Sequence, residues 1–365
     1  MKQILILLLS LLFALITGCQ EEKKSETKTE SNGPETLLLK DFRPESIYNI
    51  PVTPVNKSKF PVIDIHSHHY VNSEEELDQW VKTMDDCGIE KSIILSKEHG
   101  QRFDSIFDLY SKYPDRFEVW CGFDYSTYED PDFPESAIAE LQRCYKKGAK
   151  GVGELGDKGK GLYYSKPPAW GMHADDPRMG PLWEKCDELG MPVSLHVAEP
   201  KWMYEKMDST NDGLMNAFKW RLDNQPDIVD HKGMIDILER TVKKHPNTTF
   251  IACHLANCSY DLSIIGSLLD SYPNLFIDIS ARFAEICATP RATSQFIEKY
   301  HDRILYGTDM GTSSSMYKIT FRLLETPDEH IYDETFSYHW PLHGLDLPDE
   351  VLEKIYRLNA KNLTK

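Results

Sequence analysis

The chain has 365 residues, 41% of them hydrophobic and 11% aromatic, which supports a large buried core and excludes global disorder. A formal charge of −17 denies it the basic surface by which nucleic-acid binders displace counterions, so no nucleic-acid partner is expected. The length suits a single α/β barrel with insertions.

Lys2 opens a leader whose apolar run, Ile4 to Leu15, ends in Ile16-Thr17-Gly18-Cys19. The run is shorter than the roughly 20 residues of a spanning helix and suits a signal-peptide core. Small residues before a cysteine resemble the bacterial lipobox. Residues 1–18 are therefore expected to be removed as a lipoprotein signal peptide and Cys19 to carry the lipid; the alternative is an ordinary signal peptide with an incidental cysteine. Residues 19–45 are polar and charged, as in a flexible tether. This places the protein in a bacterial cell envelope, lipid-anchored at the periplasmic face or the cell surface, with 46–365 as one domain.

Beyond residue 61, apolar strand-like runs alternate with amphipathic stretches. Strands are predicted at 62–65, 92–95, 117–123, 151–155, 192–196, 249–254, 275–279 and 304–309. Helices are predicted to begin near Ser73, Phe103, Pro134, Pro181, Lys232, Tyr260 and Arg291, with a last one over 348–358. Such alternation implies a parallel sheet, and eight units imply a closed (β/α)₈ TIM barrel. No GxGxxG follows the first strand and no P-loop occurs. Connections at 156–177, 198–230 and 311–342, after strands 4, 5 and 8, are too long for turns and belong to the face where barrels keep their chemistry. Seven cysteines from Cys87 to Cys287 form no compact framework and read as small buried hydrophobes.

Strand one runs into Asp64-Ile65-His66-Ser67-His68. Alternation predicts that Asp64, His66 and His68 point together while Ile63 and Ile65 face outward under the helices. Glu154, His196, His254 and Asp309 end later strands. Imidazoles and carboxylates converging at one mouth repel or desolvate one another unless a cation holds them, and a divalent transition metal suits that donor set. The candidate ligands are His66, His68, Glu154, His196, His254 and Asp309.

These residues lie in VIDIHSHHY, GVGELG, SLHVAEP, FIACHLAN and ILYGTDMG; with the closing DEVLEKIYRLNAKNL, the region 60–365 resembles the amidohydrolase superfamily. Within it, the amidohydrolase-related (amidohydrolase 2-like) group includes sugar lactonases and non-oxidative decarboxylases. The resemblance implies that His66, His68 and Asp309 bind a metal, and that His196 and His254 bind a second ion or contact substrate. Many binuclear members carry a carboxylated lysine or a glutamate at the place of Glu154 to bridge two metals, and GVGELG is similar to the GEIGLD of TatD-type nucleases; the alternative is that Glu154 only orients a ligand. Decarboxylase-type relatives instead use one metal and leave the strand-six histidine, here His254, for proton transfer. The expected cofactor is zinc, as one or two ions.

Such a metal lowers the pKa of water and polarises the scissile bond, with Asp309 as general base and then acid. Asp64 is read as orienting a ligand or as a buried structural acid. Lys158, Lys160, Tyr163, Tyr164, Trp170, His173, Trp202, Tyr204, Trp220, Arg221 and Arg282 lie on the long loops or after strand seven. Of these, Arg282, Tyr164 and Trp202 are the candidate substrate contacts. The favoured activity is hydrolysis of a small polar substrate, a lactone, an amide or a related C–O or C–N bond, with a carbohydrate-derived molecule in view. Alternatives are a mononuclear non-oxidative decarboxylase, a phosphodiesterase and a non-catalytic surface binding protein.

Overall fold

The computed structural model describes residues 33–163 and 167–363. The leader and Cys19 lie outside the described residues, as does Tyr164. The chain divides into residues 1–42 and residues 43–365. Of the first unit, 33–42 are exposed and hold one 3₁₀ turn, Leu39–Asp41. Among the described residues no helix is long and apolar enough to cross a membrane.

The second unit is a barrel of eight parallel strands: β1 Val62–Ser67, β2 Ile89–Leu95, β3 Phe117–Trp120, β4 Val152–Asp157, β5 Val193–Val197, β6 Phe250–Ala252, β7 Leu275–Asp278 and β8 Ile304–Leu305. They pair as β1-β2-β3 and β8-β7-β6-β5-β4. A parallel bridge between Cys121 and Val152 joins the two runs. The ring closes through Ile65 N donating to Tyr306 O at 3.0 Å and Asp309 N to His66 O at 2.9 Å. Parallel strands so enclosed are buried on both faces, which is why β1, β4 and β5 carry no exposed residue.

The longer helices are α1 Glu74–Cys87, α2 Gly100–Tyr110, α3 Phe133–Lys147, α4 Gly180–Glu188, α5 His231–Lys244, α6 Leu262–Ser271, α7 Pro290–Tyr300 and α8 Ser314–Glu325, with a closing helical stretch from Asp349 to Leu363. Helix α1 is capped by Ser73, whose hydroxyl accepts from Glu76 N, and it buries Leu77, Trp80 and Met84. The 311–342 connection is not one long loop: α8 occupies its first half. Ser313 caps that helix, and its buried face carries Met316, Tyr317, Ile319, Thr320, Phe321, Leu323 and Leu324. A short antiparallel pair, Gly161–Leu162 with Ala169–Trp170, structures the connection after β4.

The predicted facing of β1 is corrected. Ile63 and Ile65 pack among strand residues Ile93, Leu95, Trp120, Ile251 and Leu305, closed off by Ala360, and not under the outer helices. Val62 instead joins the cluster containing Leu77, Trp80 and Met84. The β1–β2 register shifts between Asp64 and Ser67, so strict two-residue alternation does not carry through to His66. All seven described cysteines are buried and unpaired by disulfides.

Candidate functional site

The six candidate ligands come together at the carboxyl ends of the strands. His68 Nε2 lies 3.0 Å from Asp309 Oδ1 and 3.5 Å from Glu154 Oε2. His66 Nε2 lies 3.8 Å from Glu154 Oε1 and 3.9 Å from Asp309 Oδ1. His254 Nε2 is 3.4 Å from Glu154 Oε1 and 3.8 Å from Asp309 Oδ2. Within this cluster, His66–His68–Asp309 and Glu154–His196–His254 each bring three donor atoms within 4.8 Å of one another.

Three imidazoles are aimed by what holds their other nitrogen. His66 Nδ1 sits 3.0 Å from Asp278 Oδ2, His68 Nδ1 sits 2.7 Å from Leu95 O, and His254 Nδ1 sits 2.8 Å from Ser280 O. Acceptors at Nδ1 fix the proton there and turn each Nε2 lone pair toward the cluster. His66 Nε2 is buried without a hydrogen-bond partner, which fits a bound cation. Space for His66 comes from β8: a Cβ on Gly307 would stand 2.8 Å from His66 Cβ.

Strand ends adopt left-handed backbone at Lys97, Ala198, His254, Ala281 and Asp309, with φ from 51 to 63°. Such residues cost roughly 1–2 kcal/mol each and persist where surrounding bonds enforce them. At His254 the enforcing bond is its own N–H to Asp278 Oδ1, at 2.9 Å. Asp278 thus fixes both the ring of His66 and the backbone of His254.

The electrostatics follow from burial against these partners. Burial opposes ionisation of Asp278, yet His66 and the donors around it bring its carboxyl down to about 2. Glu154 is likewise held well below the usual range, burial being outweighed by Lys97 and His196. Burial, then the neighbouring His196, push His254 down to about 4, which keeps that ring neutral. Asp64 is pushed up to about 6 by burial. Its carboxylate accepts from Thr308 N and Oγ1, Ser67 Oγ and His66 N, so it ties β1 to β8 and touches no ligand ring.

His196 is arranged differently. Its Nδ1 lies 2.5 Å from Glu154 Oε1, while its Nε2, 3.7 Å from Glu199 Oε2, is buried without a hydrogen-bond partner among the described residues, as is that of His66. Glu199 in turn pairs with Lys158 and lies 3.9 Å from Arg282. Arg282, expected at the substrate, gives its donors to Asn257 Oδ1 and Ala281 O and stands between Glu199 and Glu285. Trp202 rests against Trp340, which stacks on Tyr338 at a 4.3 Å centroid distance. Elsewhere on the loops, His173 pairs with Asp157, Arg221 with Asp223, and Tyr163 stacks on Trp170.

Lys97, Asp278, Ser280 and Glu199 were missed by the sequence reading. Each occupies or closely follows a strand end, in Ile94-Leu95-Ser96-Lys97, Asp278-Ile279-Ser280 and His196-Val197-Ala198-Glu199. A charged or hydroxyl-bearing residue at or just beyond the end of an apolar run was the available signal.

The family model described as Amidohydrolase matches residues 101–363. The chain belongs to the amidohydrolase family. The match runs from α2 to the closing helical stretch and does not include β1, with His66 and His68, or β2. Among solved structures the chain is similar to an uncharacterized TIM-barrel protein from Bordetella bronchiseptica, at 18% identity and TM-score 0.54, covering 83% of this chain and 98% of the other. It is similar to 2,6-dihydroxybenzoate decarboxylase from Rhizobium, at 19% identity and TM-score 0.52, covering 84% and 98%. It is also similar to a manganese complex of 5-carboxyvanillate decarboxylase from Novosphingobium aromaticivorans, at 14% and TM-score 0.51, covering 86% and 99%. At these identities the likeness establishes the barrel fold. No curated protein matches the chain.

Proposed function

We propose that the protein is a metal-dependent hydrolase acting on a small polar substrate, a lactone, an amide or a related C–O or C–N bond. One observation carries this reading. Three imidazoles with anchored Nδ1 atoms turn their Nε2 atoms toward the carboxylates of Glu154 and Asp309, at 3.0 to 3.9 Å. Nothing in barrel folding requires that convergence. His66, His68 and Asp309, with Glu154, His196 and His254 around them, would hold the ion; zinc suits the nitrogen and oxygen donors.

A divalent ion there supplies Lewis acidity, making water easier to deprotonate and polarising the bond to be cleaved. Asp309 is the residue placed to move protons. Its side chain is 26% exposed toward the mouth, unlike the buried Glu154 at 4%. It takes the proton of the attacking water and returns it to the leaving group. Tyr70 Oη donates to Asp309 Oδ1 at 3.4 Å and steadies the carboxylate. His254, anchored through Nδ1, contributes an acceptor nitrogen on the other side.

A second reading, non-oxidative decarboxylation of a hydroxylated aromatic acid, draws support from Glu154. Both its oxygens already face protein donors, Lys97 and His196, which favours a one-ion centre. Two of the structural neighbours act on acids of that kind. Chelator-stripped protein reloaded with zinc or manganese, assayed on lactones and amides and separately for CO₂ release from hydroxybenzoates, separates the two. Turnover that survives stripping of the metal defeats both.

Lipidation of Cys19 and residence at the cell envelope complete the proposal, supported by the 4–15 apolar run ending in Gly18-Cys19. Radiolabelled fatty acid incorporated by the native chain but not by Cys19→Ser is the test.

A further inference from the structure

Lys97 has no task in the chemistry above, yet its position is strongly constrained. It follows β2 by two residues, with φ 62°. Its N–H donates to Gly153 O at 3.1 Å, and a Cβ on Gly122 would stand 2.3 Å from its carbonyl oxygen. The chain therefore reserves room for this residue's backbone. From there Nζ reaches Glu154 Oε2 at 2.6 Å.

A carboxylate that bridges two cations gives one oxygen to each. In Glu154, Oε2 is taken by Lys97 and Oε1 by His196 Nδ1 at 2.5 Å. The two ligand groups are consequently unequal. In His66–His68–Asp309, Nδ1 of each histidine is anchored elsewhere and both Nε2 atoms point inward. In Glu154–His196–His254, His196 has spent Nδ1 on the very carboxylate that would share the ion, and its Nε2, buried without a hydrogen-bond partner among the described residues, lies 3.7 Å from Glu199 and away from Glu154 Oε2. An ammonium at hydrogen-bond distance from Oε2 also repels a divalent ion seeking the same oxygen.

We propose that Lys97 is a built-in counter-cation: its ammonium takes the place of a second metal ion at Glu154 and limits the centre to one ion, at His66, His68 and Asp309. This rests on the metal-centre reading given above. The lysine neutralises Glu154 permanently, so the barrel mouth balances its carboxylates without a second divalent ion.

The test uses the full chain, stripped with chelator, reloaded with Mn(II), freed of excess metal, and read by elemental analysis and electron paramagnetic resonance. The expected result is one manganese per chain with an uncoupled six-line spectrum. Lys97→Met and Lys97→Gln should each bind two, with the spectrum of a spin-coupled pair, while Lys97→Arg, which keeps the charge, should bind one. The lysine side chain is 37% exposed, so its loss opens no sealed cavity, and the two neutral variants check each other. Two ions in the unsubstituted chain overturn the proposal and leave the metal centre standing, as does a single ion in both neutral variants. No ion in the unsubstituted chain overturns the metal-centre reading itself, and the counter-cation with it.

Discussion

Two seams of the barrel use the same residue types to opposite ends. At the β1–β8 seam, His66, His68 and Asp309 keep donor atoms directed at one another across 3.0 to 3.9 Å, with the other face of each ring anchored on an acceptor. At the β4–β5 seam, the carboxylates of Glu154 and Glu199 are already matched by Lys97 and Lys158, and His196 Nδ1 by Glu154, which leaves only His196 Nε2 without a partner there among the described residues. The first seam is short of positive charge and the second is balanced. What separates a candidate cation site from a structural frame is thus the neighbour of each donor, and not its identity.

The largest test of that contrast is Asp309→Asn, expected to lower kcat by roughly 10²–10⁴-fold on the substrate identified by the panel. Glu199→Gln, on the balanced seam, should cost under about tenfold if it only frames the site. Equal losses would erase the distinction. Asp278→Asn should weaken metal binding by roughly 10–100-fold, measured by competition with a chromophoric chelator, because His66 then loses its aim. An unchanged affinity would show that the Asp278–His66 contact does not matter to the ion.

Gly307→Ala probes packing at the first seam. Its added methyl meets His66 Cβ, so a loss of about 1–3 kcal/mol is expected in urea unfolding; an unshifted midpoint would count against the close approach. The smallest effect concerns Asp157 and His173, beyond the ligand cluster. Hydrogen bonding to Asp157 raises the His173 pKa above its ordinary 6.5, against the opposing pull of burial. The pair therefore stabilises the fold fully below pH 6.5 and loses that contribution as pH climbs through the folded value. An NMR titration should place His173 above 6.5 and return it toward that value in Asp157→Asn. A titration identical in both proteins would remove Asp157 as the cause.

The barrel and the convergence of His66, His68, Glu154, His196, His254 and Asp309 were legible because each is a polar residue ending an apolar run, and parallel strands bring such ends together. Three things were not. The hand of each imidazole depends on acceptors such as Leu95 O and Ser280 O, backbone atoms that no residue letter reveals. The facing of Ile63 and Ile65 was misread because a register shift next to Asp64 breaks the two-residue rule locally. Lys97 sits at the mouth only because its backbone turns left-handed, a conformation that sequence gives no reason to assign to lysine. Helix α8 was a different kind of miss: Ser313 and the apolar face of 314–325 announced it, and the length of the connection obscured it.

Closure of the ring has a consequence for the order of events during synthesis. Two of the three residues at the first seam are made near the start of the domain and the third near its end, and Asp64 with Thr308 sutures the two edges. A growing chain therefore cannot offer the complete three-donor grip until its final strand has docked. On the proposed metal-centre reading, capture of an ion by that grip is a late event, open only to the finished cylinder.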